Sequence, residues 1–111
     1  MSHYKIALLD GDGIGPEIMK EAVKVLNLVA ERNNITFDLI HSAFGASAYF
    51  ECGHPFPDAT KKVCDDADAI LKGPIGLSHE ESQKIPVDMQ PERGALLPLR
   101  LLYNTYANFR P

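Results

Sequence analysis

Short apolar runs alternate with longer segments of mixed polarity along the first part of the chain. Residues 4–9 (YKIALL) form an apolar run that leads into Asp10 and a glycine cluster, which predicts a buried parallel strand ending in a loop. The next segment begins near Pro16, whose fixed φ suits the first helical position, and ends at Asn33 and Asn34. Its apolar residues recur at helical spacing and predict one apolar face: Ile18, Ala22, Val25, Leu26 and Val29.

The same alternation continues further along the chain. Residues 35–40 (ITFDLI) alternate between apolar and polar positions and predict a second strand. Residues 43–52 are small and weakly helical, and the prolines that follow make a rigid connection. Asp58 is predicted to cap a helix that ends near Asp66, and residues 67–71 (ADAIL) predict a third strand.

The predicted order is strand, helix, strand, helix, strand, with connections too long for hairpins. Such connections join parallel strands through crossover helices, so the sequence predicts an α/β fold of parallel-sheet β-α-β units. Residues 75–91 show no usable period and predict a long loop, which in a compact domain is typically functional or disordered. Beyond it, an apolar run predicts a short helix through Leu102 whose start is limited by Pro98, and residues 106–110 predict another strand.

Composition and charge narrow the possible partners. Hydrophobic residues make up 45% of the 111 residues and charged residues 23%, as in soluble globular proteins. The net charge is −4 without a Lys/Arg cluster, so no nucleic-acid partner is expected. No apolar run approaches the ~20 residues of a membrane span, and no signal peptide is recognised, so a cytoplasmic protein without a membrane partner is expected. Cys52 and Cys64 predict two ordinary thiols rather than a disulfide framework.

A glycine-rich turn, GDGIGPE at residues 11–17, joins the first predicted strand to the first predicted helix. Backbone N–H groups in such a turn can approach a ligand closely, and the helix dipole favours an anion. However, the spacing differs from the G-x-G-x-x-G of the dinucleotide fold, and the proline removes one N–H donor. On physical grounds, a tight strand-to-helix turn and a ligand-binding loop are equal alternatives.

Two arginines ten residues apart form a second candidate for chemistry. Arg100 lies in the apolar helix, and Arg110 ends the last predicted strand. Arginine seldom occupies such a run without a carboxylate to pair with. One interpretation is surface ion pairs or side chains that reach solvent along apolar surface. The other is a bidentate clamp on a di- or tricarboxylate substrate.

Two parts of the sequence resemble a known family. GDGIGPE directly after the first strand, and ERGALLPLR at residues 92–100 followed by ANFRP at residues 107–111, resemble the opening of the isocitrate/isopropylmalate dehydrogenase family. The resemblance covers essentially the whole chain but only about the first third of a typical member. Residues 1–111 are therefore interpreted as the N-terminal part of a larger dehydrogenase domain. The resemblance also implies a cofactor cleft unrelated to the usual dinucleotide-binding fold.

The resemblance implies roles for particular residues. Arg100 and Arg110 match two of the arginines that hold the substrate carboxylates. Leu96 matches the position that meets the alkyl group of the substrate, with Leu97 beside it. Glu92 matches an acidic residue near the substrate tail and the nicotinamide. The other residues expected to border the cofactor are Ile14, Leu77 and Ser78.

One segment departs from the isopropylmalate branch of the family. Lys72-Gly73-Pro74, at the end of the third predicted strand, looks more like isocitrate dehydrogenases. The apolar Leu96 favours an alkyl substituent instead, because it would leave a third carboxylate unpaired in a closed site. The sequence therefore favours isopropylmalate over isocitrate, homoisocitrate and tartrate or malate. Lys72 is interpreted as a surface lysine at a strand end.

The resemblance implies a two-stage reaction for the full-length protein. NAD accepts a hydride from (2R,3S)-3-isopropylmalate, and the 2-oxo acid then loses CO2 to give 4-methyl-2-oxopentanoate in leucine biosynthesis, with Mg2+ or Mn2+ polarising the substrate oxygens. In family members the catalytic and metal-binding residues lie later in the chain, so none is expected here. A homodimer is implied for the full-length protein. The alternative from a different class is a non-catalytic fragment, and the 111 residues alone are expected to be inactive.

Overall fold

A computed structural model describes residues 2–105 and residue 107 of the chain. Three strands form one sheet: β1 (Ser2–Leu9), β2 (Ile35–Ser42) and β3 (Ala69–Lys72). The strand order is β2-β1-β3, and the central β1 pairs in parallel with both neighbours. The predicted α/β arrangement of parallel β-α-β units is therefore confirmed. The strand predicted at residues 106–110 lies, apart from Ala107, outside the described residues.

Helices connect and follow the strands. The α-helices of the described part are α1 (Gly15–Asn33), α2 (Ala46–Cys52), α3 (Asp58–Asp66), α4 (His79–Ser82) and α5 (Leu97–Leu102). Val87–Met89 forms a 3-10 turn, and Glu92–Leu96 forms a short π-helix that continues directly into α5. Among the described helices, none is long and apolar enough to cross a membrane.

The sheet carries a core on each face, because successive strand residues point to opposite sides. Ala7 and Leu9 of β1 point to one face, and Ile6 and Leu8 point to the other. The first face packs against the following residues: Phe44, Phe56, Cys64 and Ala95, with Ile70, Leu99 and Tyr103 partly buried beside them. On the second face, Phe37, Leu39 and Leu71 of the neighbouring strands join Ile6 and Leu8, and Met19 and Val23 of α1 pack against them. The π-helix and α5 therefore rest on the first face.

Both cysteines are free thiols, as the sequence predicts. Cys52 is exposed, and Cys64 is buried in the core of the first face. Burial raises the pKa of the Cys64 thiol, and the nearby carboxylate of Asp65 raises it further. A raised pKa keeps this thiol protonated and unreactive at neutral pH, as expected for a structural cysteine.

Helix α1 has two apolar stripes, whereas the sequence predicts one. Met19 is buried and packs on the second face of the sheet together with Val23. In contrast, Ile18, Val25 and Val29 of the predicted face are 46%, 61% and 43% exposed. The two stripes lie side by side, and helical spacing fits both. Periodicity alone could not show which one contacts the sheet.

Three local expectations differ from the structure. Asp58 does not cap α3, because Pro57 occupies the cap position and Asp58 is the first helical residue. The Asp58 carboxylate instead lies 3.7 Å from the amine of Lys61. Strand β3 begins two residues later than the predicted 67–71. The loop predicted at residues 75–91 contains α4 and the 3-10 turn.

Pro98 does not mark the start of the last helical stretch. Ahead of it, the N–H of Leu97 donates to the carbonyl of Glu92, five residues earlier, as in a π-helix. In a regular α-helix the proline ring would clash with the carbonyl four residues before it. The wider turn leaves room for that ring, so helical backbone runs from Glu92 to Leu102 with Pro98 inside it.

Candidate functional site

Asp12, within the glycine-rich turn, holds three loops together. Its buried carboxylate accepts hydrogen bonds from the backbone N–H groups of Ala46 (2.9 Å), Ser47 (2.8 Å) and Gly76 (2.9 Å). The first two are donors at the start of α2 that have no partner within the helix. The third belongs to the loop after β3. This carboxylate therefore fixes the turn after β1 to both neighbouring loops at the carboxyl end of the sheet.

The glycines of this turn allow close backbone approach. A Cβ at Gly11, where φ is +81°, would overlap the carbonyl oxygen of Pro74. A Cβ at Gly15 would overlap the carbonyl oxygen of Asp10. The N–H of Asp12 also donates to the Pro74 carbonyl at 2.8 Å. Close packing of the turn against the loop after β3, for Gly11, and against the end of β1, for Gly15, is sufficient to explain these two glycines.

Glu92, Leu96 and Arg100 follow one another at four-residue intervals along the π-helix and α5. We refer to these three residues as the helical strip. Together with Leu97, they line a cavity of about 190 Å3. Ala95 anchors this stretch, since its side chain is buried in the core. The structure therefore brings four of the predicted site residues around one cavity, with opposite charges on either side of the leucines.

A second cavity, of about 250 Å3, lies between the loop after β3 and the start of the π-helix. Its lining residues are Gly76, Leu77, Ser82, Gln90, Pro91, Glu92 and Arg93. Leu77 and Glu92, both predicted to border a cofactor, thus line the same cavity. Glu92 also lines the cavity of the helical strip. Arg93 was missed by the sequence reasoning, and its position next to Glu92 was the available signal.

A third cavity, of about 240 Å3, lies between the end of β3 and α5. Its lining residues are Ile70, Lys72, Leu96, Leu99, Arg100, Tyr103 and Thr105. Lys72 ends β3, as predicted, but it is half-buried and lines this cavity together with Arg100 instead of lying fully on the surface. Burial lowers the pKa of the Lys72 amine, and the positive charge of Arg100 lowers it further.

Two predicted site residues are not brought to these cavities, and a third lies outside the described residues. Ile14 is exposed at the start of α1 and is not among the lining residues of any of the three. The Ser78 hydroxyl caps α4, because it accepts from the N–H of Glu81 at 3.4 Å and donates to the Glu81 carboxylate at 3.1 Å. Arg110 lies outside the described residues.

Tyr103 fixes the end of α5 to α3. Its hydroxyl donates to a carboxylate oxygen of Asp65 at 2.7 Å and lies 3.3 Å from the carbonyl of Lys61. Burial raises the pKa of Tyr103, and the hydrogen bond with Asp65 raises it further. Tyr103 is therefore a protonated donor at neutral pH, and it lines the third cavity together with Arg100.

Metal-ligating side chains do not form a cluster in the part of the chain that the structure describes. No group of three or more His, Cys, Asp or Glu residues is placed there to hold an ion. Asp10 and His41 form a pair at the ends of β1 and β2, with 3.0 Å between Oδ2 and Nδ1. Two such residues alone do not make up a coordination set.

The fold places the chain in a class of dehydrogenases. A β-decarboxylating dehydrogenase from Thermococcus kodakarensis is 32% identical, with a TM-score of 0.62 over 88% of this chain and 26% of its own. An isocitrate dehydrogenase from Methylococcus capsulatus is 34% identical, with a TM-score of 0.57 over 68% of this chain and 21% of its own. The described residues therefore have an α/β arrangement found in both enzymes.

The sequence comparisons narrow this class to a family. The model for isocitrate/isopropylmalate dehydrogenase matches residues 5–111, so the chain belongs to that family. It is 49% identical over 111 residues to the 3-isopropylmalate dehydrogenase of Haemophilus influenzae, and 46% identical over 108 residues to that of Geobacter sulfurreducens. These matches include 100% and 97% of this chain, but the chain spans only 30% and 29% of the length of the two relatives. The resemblance to an N-terminal portion of this family is confirmed.

Proposed function

We propose that a full-length protein containing this chain catalyses the NAD-dependent oxidative decarboxylation of (2R,3S)-3-isopropylmalate to 4-methyl-2-oxopentanoate, a step of leucine biosynthesis. This chain would supply one wall of the substrate and cofactor cleft. The observation that carries the proposal is the helical strip, which presents a carboxylate, an apolar side chain and a cation in order along one cavity. On the family resemblance, the proposal includes a cytoplasmic homodimer.

Arg100 is the proposed carboxylate-binding group. Its guanidinium offers several N–H donors in a plane, which suits two parallel hydrogen bonds to one carboxylate. None of the ion pairs within residues 2–105 engages it, and the two cavities that it lines contain a single acidic residue, Glu92. Arg110, ten residues further on, is proposed to hold the other end of the di-acid.

Leu96 and Leu97 are the proposed contacts of the substrate alkyl group. They lie between the acidic and basic ends of the strip and line the same cavity as Arg100. Burying an isopropyl group against leucine side chains is favourable, whereas a third carboxylate there would lose hydration without gaining a partner. This difference supports isopropylmalate as the substrate. It agrees with the names of the relatives that are nearly half identical.

The second cavity suits the nicotinamide end of NAD. Leu77 supplies an apolar wall for the ring, and the Glu92 carboxylate supplies an acceptor for amide or hydroxyl groups. When bound, NAD accepts the hydride that leaves the substrate carbinol. Ile14 and Ser78 are proposed to border the same cofactor. The capping bonds of the Ser78 hydroxyl would let it act by holding α4 in place.

The proposed reaction also uses Mg2+ or Mn2+. On the family resemblance, the ligands of this ion lie later in the full-length protein, so the proposal gives this chain no metal-binding residue. When bound, the ion polarises the substrate oxygens. The role of this chain is to orient the di-acid through Arg100 and to enclose its tail through Leu96.

A second candidate substrate, isocitrate, is favoured by one observation. Lys72 of the Lys72-Gly73-Pro74 segment faces the third cavity next to Arg100, where it could bind an additional carboxylate. Among the structures with this fold is an isocitrate dehydrogenase. Homoisocitrate and tartrate or malate are further alternatives within the family.

A substrate panel tests the proposal. The full-length protein is assayed for NADH formation with isopropylmalate, isocitrate, homoisocitrate, tartrate and malate. We expect the highest kcat/KM with isopropylmalate, at least about tenfold above malate, because malate lacks the alkyl group that the leucines bury. A higher kcat/KM with isocitrate would replace the proposed substrate. Absence of NADH formation with every acid would favour the non-catalytic alternative.

A further inference from the structure

Lys72 lies on the face of β3 that supports α5. Side chains two residues apart share one face of a strand, so Lys72 points to the same side as Ile70. Ile70 packs against the core of the first face, beside Leu99 and Tyr103. The Lys72 side chain therefore runs beneath α5 and is half-buried there.

The Lys72 amine retains donors for a ligand. Its Nζ donates one hydrogen bond, 2.8 Å long, to the carbonyl of Gly73. An ammonium group has three donors, so two are left for other acceptors. This bond ties the amine to the Gly73 carbonyl, and Lys72 lines the third cavity together with Arg100.

Two cations share this cavity without an acidic residue. Its lining contains Lys72 and Arg100, and its other members are apolar or carry hydroxyl groups: Ile70, Leu96, Leu99, Tyr103 and Thr105. Placing the two positive charges close together is electrostatically unfavourable. Burial lowers the pKa of the Lys72 amine, and the charge of Arg100 lowers it further. Like charges that face one partly desolvated cavity are relieved by an anion between them.

We propose that Lys72 and Arg100 bind the same carboxylate of the substrate from two sides of the third cavity, so that Lys72 is a further substrate-binding residue. This inference rests on the proposed function, because it assigns Arg100 to the 2-hydroxy di-acid. It differs from the isocitrate alternative, in which Lys72 would bind an additional carboxylate. The shared carboxylate is present in isopropylmalate, isocitrate and malate alike.

The test compares Lys72→Met in the full-length protein with the wild type and with Lys20→Met, which removes an exposed lysine of α1. We expect Lys72→Met to raise the KM for isopropylmalate about tenfold, the loss expected for one charged hydrogen bond. The KM for NAD and the Lys20→Met enzyme should stay at wild-type values. Lys72→Arg should restore part of the loss, since it returns a cation to the cavity.

Stability separates binding from a structural role of Lys72. Removing one of two repelling cations should leave the Tm of Lys72→Met equal to or above that of the wild type. A lower Tm together with an unchanged KM would overturn the proposal and leave only the Gly73 contact. A KM increase confined to isocitrate would also overturn it, in favour of the additional-carboxylate role.

Calorimetry of malate binding without NAD tests the role of Lys72 even if the protein does not catalyse the proposed reaction. If the full-length protein shows no dehydrogenase activity, Lys72→Met should still weaken malate binding about tenfold relative to Lys20→Met. Equal malate binding by the two variants would refute the role of Lys72, whatever the outcome of the substrate panel.

Discussion

The carboxylate of Asp12 accepts a hydrogen bond from the backbone N–H of Gly76 at 2.9 Å, across 64 residues of sequence. The same oxygen accepts from the N–H of Ala46. The Asp12 side chain thus helps to fix the loop after β3, which carries Leu77 into the proposed cofactor cavity, to the glycine-rich turn, together with the backbone bond from the Asp12 N–H to the Pro74 carbonyl. Asp12 therefore acts by positioning these loops.

Asp12→Ala should destabilise the protein by about 3 kcal/mol, because it leaves the buried N–H of Ala46 and the part-buried N–H groups of Ser47 and Gly76 without this partner. Urea unfolding measures the loss, with Asp38→Ala, at an exposed strand position, as the matched control. Hydrogen exchange should also increase at Gly76 and its neighbours. Unchanged exchange there would contradict the positioning role.

Gly94→Ala should destabilise the protein by about 1–3 kcal/mol through overpacking. An added Cβ would lie 2.6 Å from Cγ of Pro55 and 3.0 Å from the carbonyl oxygen of Asp88. The π-helix would have to shift, and the helical strip with it. Adding Pro55→Ala removes the nearer atom and should recover part of the loss, which a double-mutant cycle of unfolding free energies measures. Strict additivity would show that this contact is not the cause.

Tyr103→Phe should cost about 1 kcal/mol near neutral pH, since it removes the hydrogen bond to Asp65. The pKa of Tyr103 is raised in the folded state, first by burial and then by this bond. Its contribution is therefore fully present below the unfolded-state pKa of about 10 and is lost as the pH rises through the folded-state value. Unfolding free energies of both proteins should converge above about pH 10. A difference independent of pH would exclude this linkage.

Leu96→Ser should lower kcat/KM for isopropylmalate about tenfold or more and leave malate, which lacks the alkyl group, much less affected. Leu101→Ser is the matched control, because Leu101 lies on α5, which directly continues the π-helix of Leu96, but is 81% exposed. The ratio of the two kcat/KM values is measured in the full-length protein. An equal loss for both substrates would mean that Leu96 supports the helix and does not contact the alkyl group.

The isolated 111-residue chain should produce no NADH with isopropylmalate, because the resemblance places the bond-breaking groups elsewhere in the full-length protein. The control is the full-length protein assayed under the same conditions. Activity of the isolated chain would show that these residues carry catalytic groups that the present account does not assign.

Local sequence features predicted the positions of the first two strands. The apolar run before Asp10 and the alternation after Asn34 are short-range patterns, and both strands lie where these patterns indicate. The face of α1 was not predictable, because Met19 and Ile18 belong to adjacent stripes with the same spacing. Choosing between them requires knowledge of the sheet that the helix covers.

The candidate site was predictable where its residues are close in sequence. Leu96 and Arg100 are four residues apart, so a helical stretch places them on one face. Glu92 joins that face through the π-helix, which the sequence did not predict. The roles of Lys72 and Asp12 depend on contacts across the sheet, with Arg100 in one case and with the loop after β3 in the other. The spacing of apolar and polar residues gives no information on such contacts. The sequence therefore assigned Lys72 to the surface and gave Asp12 no role of its own.

The central claim, that the helical strip binds the substrate, is tested most directly by Arg100→Met in the full-length protein. The measurement is kcat/KM for isopropylmalate, with Arg32→Met on the exposed end of α1 as the control. We expect a loss of about a hundredfold or more for Arg100→Met, with the KM for NAD unchanged, because a bidentate carboxylate contact is removed. A kcat/KM equal to that of the Arg32→Met enzyme would contradict it.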